Sequence, residues 1–369
     1  MTLSGSNELV VTSIVPRLPP IIDGVGDYAF HLARGLHRDF GIKTDFIVGD
    51  SRRVTSVYEN DFPVSVLEEH SSDALFSILA NKNIILLHFV NYGYQKRGCP
   101  LWLVDGLQSW KKNKSARRLV TMFHELYAFG PPWRRSFWLS PIQRRLTARL
   151  CRLSDVGITS MTMYANKLSL WSVKEQSKIP ALPVFSSVGE PKSMRPLYKR
   201  SRRMVIFGGR ASRLRIYREK FDLLRTACRL LEIEEIYDIG PAIDIGLPQI
   251  TGVRLIEIGP KLAEEVNALL LDSLYGFIDY SPGYLAKSSI FAAYCAHGVI
   301  PVCTSYNPSG TDGINKDEHY LVVDRLLKGL KLNNLQVISN NVYKWYQEHN
   351  LTKQTEVFAS ALIGAQREL

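Results

Sequence analysis

The sequence predicts an α/β protein built from two parallel-sheet domains. Apolar runs of strand length alternate with segments of helical periodicity along most of the chain. The chain has 369 residues, whereas a domain with a single hydrophobic core seldom exceeds about 250 to 300 residues. The composition changes at residues 189–203, which are polar, basic and proline-containing, as linkers often are. We therefore expect one domain at residues 1–188, a linker at 189–203, a second domain at 204–333 and helices at 334–369. These last helices either stay with the second domain or cross back to the first.

Composition and charge narrow the class of protein and partner. An apolar content of 46% with 22% charged residues is ordinary for a globular enzyme. No apolar run approaches the roughly 20 residues that span a bilayer, and the first residues lack a basic signal region, so we expect a cytoplasmic protein. Five scattered cysteines argue against a zinc site or a disulfide framework. The net charge of +11 predicts nucleic acid, an anionic membrane surface or a phosphorylated substrate as partner.

The first β-α-β unit contains a glycine-bearing loop. Residues 8–15 read as a strand and residues 28–37 as an amphipathic helix. The intervening PRLPPIIDGVGD places Gly24 and Gly26 in the spacing of a dinucleotide fingerprint. In that fingerprint the glycines follow the strand at once, whereas here a proline-rich loop intervenes, which disfavours an oxidoreductase. The sequence favours a loop that closes over a ligand, and a tight helix-entry turn is the alternative.

Two histidines follow the next predicted strands. Residues 83–90 form an apolar strand with His88 near its end, and residues 118–123 form another that is followed by His124 and Glu125. The carboxyl ends of parallel strands line the ligand crevice of such sheets. We therefore predict a functional role for His124, with His88 and Glu125 beside it. Structural hydrogen bonding is the alternative role for either histidine.

The most basic predicted helix covers residues 133–153. Its apolar stripe consists of Trp138, Ile142, Leu146, Leu150 and Leu153. The arginines that flank this stripe are Arg134, Arg135, Arg144, Arg145, Arg149 and Arg152. Such a helix either rests on anionic lipid or buries its stripe in the core with its arginines solvated. The sequence favours burial and leaves membrane contact as a hypothesis, whereas the absence of any nucleic-acid-binding motif disfavours nucleic acid.

The second domain opens with a candidate phosphate site. A strand at residues 204–207 runs directly into the loop GGRASRLRIYREK, which precedes another helix. Glycines let a ligand approach the backbone, and guanidinium groups pair with phosphate oxygens. We predict that Arg210 binds phosphate, and the same loop also carries Arg213, Arg215, Arg218 and Lys220. A solvated arginine-rich surface is the alternative.

A second candidate anion site lies in residues 277–302. Here a strand leads through a Pro-Gly turn to a helix that begins near Lys287, Ser288 and Ser289. The first turn of a helix offers unpaired N–H groups to an anion, and the hydroxyls and the lysine add to them. In the alternative interpretation the serines only cap the helix.

These landmarks together resemble the GT-B glycosyltransferases of family 4 over nearly the whole chain. The matching segments are GVGDYAFHLARGL, VTMFHE, FGGR and AAYCAHGVIPV. The resemblance implies two Rossmann-like domains that face each other across a cleft. It also implies transfer of a sugar from a nucleotide-sugar donor to a glycan, lipid-linked or small-molecule acceptor, with retention of configuration and no metal or other cofactor.

The resemblance also implies roles for particular residues, with one departure. It implies that the diphosphate is held by Arg210 and a second basic residue of residues 213–220, such as Arg215 or Lys220, with Gly26 close by, and that His124 lines the acceptor side. The family usually carries two donor-binding glutamates ahead of its Gly-x-Pro-Val turn, and here Leu285 and Ala293 stand at those positions. Their loss favours, as the alternative, a GT-B binding or scaffold protein without activity. A nucleotide-sugar epimerase is a further possibility.

Overall fold

The computed structural model describes residues 9–21, 23–49, 62–112, 116–172, 178–324, 327 and 329–364. The chain divides into two compact units. Unit 1 comprises Met1–Leu182 and Leu351–Leu369, and unit 2 comprises Pro183–Asn350.

Unit 1 is built on a six-stranded parallel sheet. Its strands are β1 (Val10–Val15), β2 (Lys43–Val48), β3 (Val64–Val66), β4 (Ile84–Phe89), β5 (Arg118–Phe123) and β6 (Val156–Thr159). They pair in the order β3-β2-β1-β4-β5-β6. Its first six helices are α1 (Gly24–Phe40), α2 (Ser72–Leu79), α3 (Asn91–Tyr94), α4 (Leu101–Lys112), α5 (Arg135–Leu153) and α6 (Thr162–Ser169). The central strands are buried along almost their whole length, as expected of a parallel sheet covered on both faces.

Unit 2 repeats this architecture. Its strands are β7 (Ser201–Phe207), β8 (Glu235–Ile239), β9 (Arg254–Gly259), β10 (Ser273–Ile278), β11 (Ile300–Cys303) and β12 (Leu321–Val322). They pair in parallel in the order β12-β11-β10-β7-β8-β9. Its α-helices are α7 (Arg210–Glu219), α8 (Phe221–Leu230), α9 (Ala263–Leu271), α10 (Ser289–Ala296) and α11 (Leu332–Gln347). Two 3₁₀ helices cover Leu197–Lys199 and Pro282–Lys287.

The strand orders place a topological switch point in each sheet. In unit 1 the chain runs outward in one direction from β1 and in the other from β4, which is its neighbour. In unit 2 the corresponding pair is β7 and β10. Ligands of doubly wound sheets bind outside the carboxyl ends of the strands at such points. The loops that follow these four strands are therefore where each unit is expected to bind its ligand.

The last two helices belong to different units. Helix α11 groups with unit 2, where Ser339 Oγ donates to the carbonyl of Gly298 at 2.6 Å. The following helix, α12 (Leu351–Ile363), groups with unit 1, where it packs on α1. There the Tyr28 hydroxyl donates to Gln354 of α12. The structure thus divides the residues 334–369 that the sequence analysis treated as one block.

The unit boundary also differs from the expected positions. The division falls between Leu182 and Pro183, ahead of the boundary expected at residue 188. Residues 189–203, expected as a linker, lie inside unit 2 and include one of its 3₁₀ helices. Arg200 shows why, since its guanidinium is buried and donates to the carbonyl of His297 at 2.9 Å. A polar, basic composition did not distinguish this packed segment from a free linker.

Helix α5 buries only part of its apolar stripe, so the expected burial of the whole stripe is wrong. Leu146 and Leu150 are buried, whereas Trp138 and Ile142 are exposed. Side-chain hydrogen bonds from α5 to other elements of unit 1 start at Gln143, whose amide accepts from the Ala128 N–H at 2.8 Å. In the described residues, no helix is long and apolar enough to cross a membrane.

Candidate active site

The candidate site of unit 1 includes the N-terminal end of α1, which follows the loop after β1. Helix α1 starts after Asp23, whose carboxylate caps it by accepting from the Val25 N–H at 3.2 Å. A Cβ on Gly26 would collide with the carbonyl oxygen of Arg17, so this glycine lets α1 pack directly on the preceding loop. Gly24, in contrast, has open space where a Cβ would stand. The two glycines of the predicted loop therefore differ, because Gly26 has a packing role and Gly24 leaves room for a ligand.

The two histidines of unit 1 form one cluster. His88 Nδ1 lies 3.2 Å from His124 Nε2, within hydrogen-bond distance. Their rings stack with centroids 5.4 Å apart and an interplanar angle of 24°. The ring of Tyr28 meets both histidines edge-on, at 5.9 Å from His88 and 5.1 Å from His124. The sequence placed both histidines at strand ends, and the structure adds their mutual contact and the tyrosine.

Burial assigns different roles to these histidines. Burial lowers the pKa of His88 to about 3, so its ring is neutral at physiological pH. Tyr94 supports the same strand by donating to the carbonyls of Ile14 and His88 at 3.0 and 2.9 Å. His124 keeps 8% of its surface exposed. His88 is thus suited to orient a neighbour, and His124 is the more exposed member of the pair.

A carboxylate pair in the same region escaped the sequence analysis. Asp23 and Asp27 lie one helical turn apart at the start of α1. Burial, with a further contribution from the Asp23 carboxylate, raises the pKa of Asp27 to about 7. Burial also raises the pKa of Asp23. A carboxyl group that titrates near neutrality is suited to general acid–base chemistry. The sequence signal for this pair is the i, i+4 spacing of two aspartates around the glycines. Glu125, by comparison, is half-buried beside His124.

In unit 2, the β7 loop forms an open helix N-terminus. Gly208 has φ of 133°, and a Cβ there would collide with Ile290. Gly209 is the N-cap of α7, provides no side-chain cap, and has open space beside it. The first N–H groups of α7 therefore have no helical acceptor, which makes them available to an anion. Arg210, the first residue of α7, is exposed and pairs with Asp244 at 2.9 Å.

The other basic residues of this segment separate by burial. Arg213 is fully buried, is paired with Asp238, and donates to the Gly208 carbonyl at 2.9 Å. These contacts hold the β7–α7 loop in place, and the Arg213 guanidinium is not available to a ligand. Arg215 reaches the end of β10, where it pairs with Asp279 at 2.5 Å. Lys220 lies at the opposite end of α7 from Arg210, about 15 Å along the axis, so the structure does not bring these two together.

At the second predicted anion site, Ser288 mainly serves to cap helix α10. Ser288 is buried, and its Oγ accepts from the Phe291 N–H at 3.2 Å as the N-cap of α10. This is the structural alternative that the sequence analysis left open. Lys287 ends the preceding 3₁₀ helix with its ammonium 6.0 Å from the Tyr284 ring, and Ser289 is the first, half-buried residue of α10.

The positions of the two missing glutamates are part of the core. Leu285 and Ala293 are both buried, so neither presents a group to a ligand. One carboxylate at the β7–β10 switch point is Asp279, which directly follows β10. It is held by Arg215 and accepts from Thr304 Oγ1 at 2.5 Å. Within the described ranges, no group of three or more metal-ligating side chains is placed to hold a metal ion.

Comparison with solved structures identifies the fold as GT-B. An alpha-glucosyltransferase in complex with UDP and a 13-mer DNA superposes with a TM-score of 0.58 at 11% identity, covering 97% of this chain and 100% of that one. A glycosyltransferase from Rickettsia africae gives 0.59 at 11% identity, with the same coverage. UDP-GlcNAc 2-epimerase from Methanocaldococcus jannaschii gives 0.55 at 11% identity, covering 96% and 99%.

These matches confirm the predicted α/β architecture of two Rossmann-like domains. No protein-family model and no curated protein matches the sequence. At these identities the likeness establishes the fold alone.

Proposed function

We propose that the protein is a glycosyltransferase that takes its sugar from a nucleotide-sugar donor. The observation that carries this proposal is the open N-terminus of α7, which lies at the switch point of a GT-B unit. Two of the similar solved structures, an alpha-glucosyltransferase and an MnaA, were determined with UDP. The proposal includes the nature of the donor and of the acceptor, the stereochemistry of transfer and the independence from metal.

The donor diphosphate is assigned to unit 2. Because Gly209 has no side chain and open space beside it, a phosphate can approach the first N–H groups of α7. The helix dipole favours negative charge at that end of the helix. Arg210 adds an exposed guanidinium, whose pairing with Asp244 is a weak surface contact that a phosphate can replace. We assign Arg215 as the second basic residue that contacts the diphosphate, because its guanidinium lies at the end of β10. These groups stabilise the negative charge that develops on the leaving diphosphate, so we propose that no metal is required.

Acceptor activation is assigned to unit 1. His124 is the accessible member of the histidine pair, and His88 orients it from the buried side. Asp27, with its pKa near neutrality, supplies a second group that can accept a proton from an acceptor hydroxyl. We propose that the sugar is transferred with retention through a same-face mechanism. The acceptor is a glycan, a lipid-linked sugar or a small molecule.

Calorimetric titration with UDP, GDP, ADP and NAD tests the donor site. We expect one nucleoside diphosphate to bind, and Arg210→Ala to weaken it about 10- to 150-fold, the loss of one charge-assisted hydrogen bond. Arg225→Ala removes an exposed arginine from α8 and serves as the matched control, with unchanged affinity. Equal affinities for wild type and Arg210→Ala would show that Arg210 does not anchor the diphosphate.

His124→Ala tests the assignment in unit 1. Because His124 is assigned to the acceptor, the variant should lower turnover of the nucleotide-sugar while leaving calorimetric donor affinity within about twofold. If the variant lost only donor affinity, the assignment of His124 to the acceptor would be wrong. Release of the nucleoside diphosphate, followed with and without candidate acceptor sugars, provides the turnover measurement.

A GT-B binding protein without activity is the second candidate. It is favoured by one observation, namely that Leu285 and Ala293 are buried apolar residues where the family usually carries donor-binding glutamates. Such a protein binds a nucleoside diphosphate and neither transfers nor hydrolyses the sugar. Nucleotide binding without release of product from any nucleotide-sugar would therefore favour this candidate.

A further inference from the structure

An open groove of about 1030 Å³ lies beside α5 in unit 1. We call it the α5 groove. Its aromatic lining comes from α5 itself and from two neighbouring segments. These aromatic residues are Tyr127, Phe129, Phe137, Trp138 and Trp171. None of the residues assigned above to donor or acceptor lines the groove, so it is a separate feature of the molecule.

The groove carries a strong positive charge. Arg144, Arg145, Arg149 and Arg152 line it, and none of the described lining residues is acidic. Helix α5 contains five arginines and no aspartate or glutamate. One arginine is partly neutralised, since Arg149 pairs with Asp105 of α4 at 2.5 Å. Arg144 instead lies over the ring of Trp171 at 5.6 Å, a contact that leaves its charge available.

Large apolar side chains protrude next to this charge. Trp133 is 83% exposed and Trp138 is 70% exposed at the start of α5, and Leu170 at the end of α6 is 83% exposed. Ile142 on the exposed side of α5 adds an aliphatic side chain. Contiguous exposed apolar residues on a water-soluble surface mark a site of interaction. Their combination with arginines is what an interfacial helix presents to a bilayer.

We propose that the α5 groove docks unit 1 on an anionic bilayer surface. Arg144 and Arg145 contact lipid phosphates, while Trp133 and Trp138 enter the boundary between headgroups and acyl chains. A bilayer is favoured over nucleic acid because the aliphatic Ile142 and Leu170 have no stacking role with bases but gain from burial in lipid. The proposal is independent of the glycosyl transfer proposed above.

Vesicle flotation tests the charge component. The wild-type protein is mixed with phosphatidylcholine vesicles that contain either no anionic lipid or about 30 mol% phosphatidylglycerol, in low-salt buffer. We expect binding to the anionic vesicles only, and Arg144→Glu with Arg145→Glu to weaken it by about tenfold or more. The control, Arg225→Glu with Arg229→Glu on α8, makes the same change of net charge and should alter binding less than about twofold. A control that loses as much binding as the groove variant would overturn the proposal, because net charge alone would then account for it.

The aromatic component has its own test. Trp133→Ser with Trp138→Ser should weaken binding to the same vesicles about tenfold or more, with an unchanged circular dichroism spectrum, because both side chains are already exposed. Quenching of tryptophan fluorescence by brominated lipids should be lost in Trp133→Phe with Trp138→Phe. Failure of the wild-type protein to float with anionic vesicles, or binding of a single-stranded oligonucleotide in their place, would overturn the proposal.

Discussion

At the residue scale, the main finding is the contact between His88 and His124, whose rings both meet the ring of Tyr28, the residue that follows Asp27. His124 and His88 were selected from the sequence because each follows or ends an apolar strand. The i, i+4 spacing of Asp23 and Asp27 marks them as neighbours on a helix, but it does not show the burial that raises the pKa of Asp27. Strand ends can be read from a single sequence, whereas a pKa depends on everything packed around the group.

Asp27 makes a prediction about stability and pH. Its pKa is about 7 in the folded protein, above the ordinary value of 3.8, so the folded state holds the proton over that range. Stability therefore falls as the pH rises from about 4 to about 7, because ionising the half-buried carboxyl is unfavourable. Asp27→Asn removes this cost and should raise the melting temperature relative to wild type at about pH 8.

The same variant should give a smaller difference at about pH 5, where the wild-type carboxyl is largely protonated. Melting temperatures of both proteins by calorimetry at the two pH values provide the comparison. A difference between variant and wild type that is independent of pH would mean that Asp27 is ionised throughout. In that case it would not be a candidate base.

At the scale of elements, the loop between β7 and α7 shows how two adjacent glycines divide their roles. Gly208 has a positive φ and is enclosed by Ile290, whereas Gly209 has φ of −65° and open space. The sequence motif FGGR presents both as one feature. Only the backbone conformation separates the glycine required by the fold from the one available to a ligand.

This difference predicts opposite outcomes for two alanine variants. Gly208→Ala should lower the free energy of unfolding by about 1 to 3 kcal/mol, through strain at positive φ and the collision with Ile290. Gly209→Ala should change it by less than about 0.5 kcal/mol. If the proposed donor site is correct, Gly209→Ala should nevertheless weaken nucleoside diphosphate binding, since its methyl group occupies the phosphate's approach. Urea unfolding and calorimetric titration measure the two effects. Equal stability loss in both variants would contradict the division of roles.

At the scale of the whole molecule, the chain returns to unit 1 through its last helix. Helix α12 packs on α1, where Phe358 is fully buried 6.5 Å from the ring of Tyr28. Arg118 at the start of β5 donates to the carbonyl of Ala361 at 2.6 Å. Residues more than 200 positions apart in sequence thus complete the core that supports the histidine cluster.

Truncating Phe358 tests this dependence. Phe358→Ala should lower the stability of unit 1 by about 3 to 5 kcal/mol, because it leaves a cavity between α12 and α1. Ile363→Ala, at an exposed position on the same helix, is the matched control and should cost less than about 1 kcal/mol. Hydrogen exchange resolved by mass spectrometry should show faster exchange in β4 and β5 for Phe358→Ala and not for the control. Unchanged exchange in those strands would show that α12 does not support the unit 1 core.

The sequence alone determined the fold class and the main strands of both sheets. It also located the glycine loops and the histidines at the ends of strands, because periodicity, turn residues and strand ends are local properties of a chain. The tertiary structure decided which of the candidate side chains are exposed and which are buried or paired. It buries Arg213 and exposes Arg210, uses Ser288 as a cap, and exposes the first half of α5. Burial and pairing depend on residues distant in sequence, so neighbouring residues with the same charge took opposite roles.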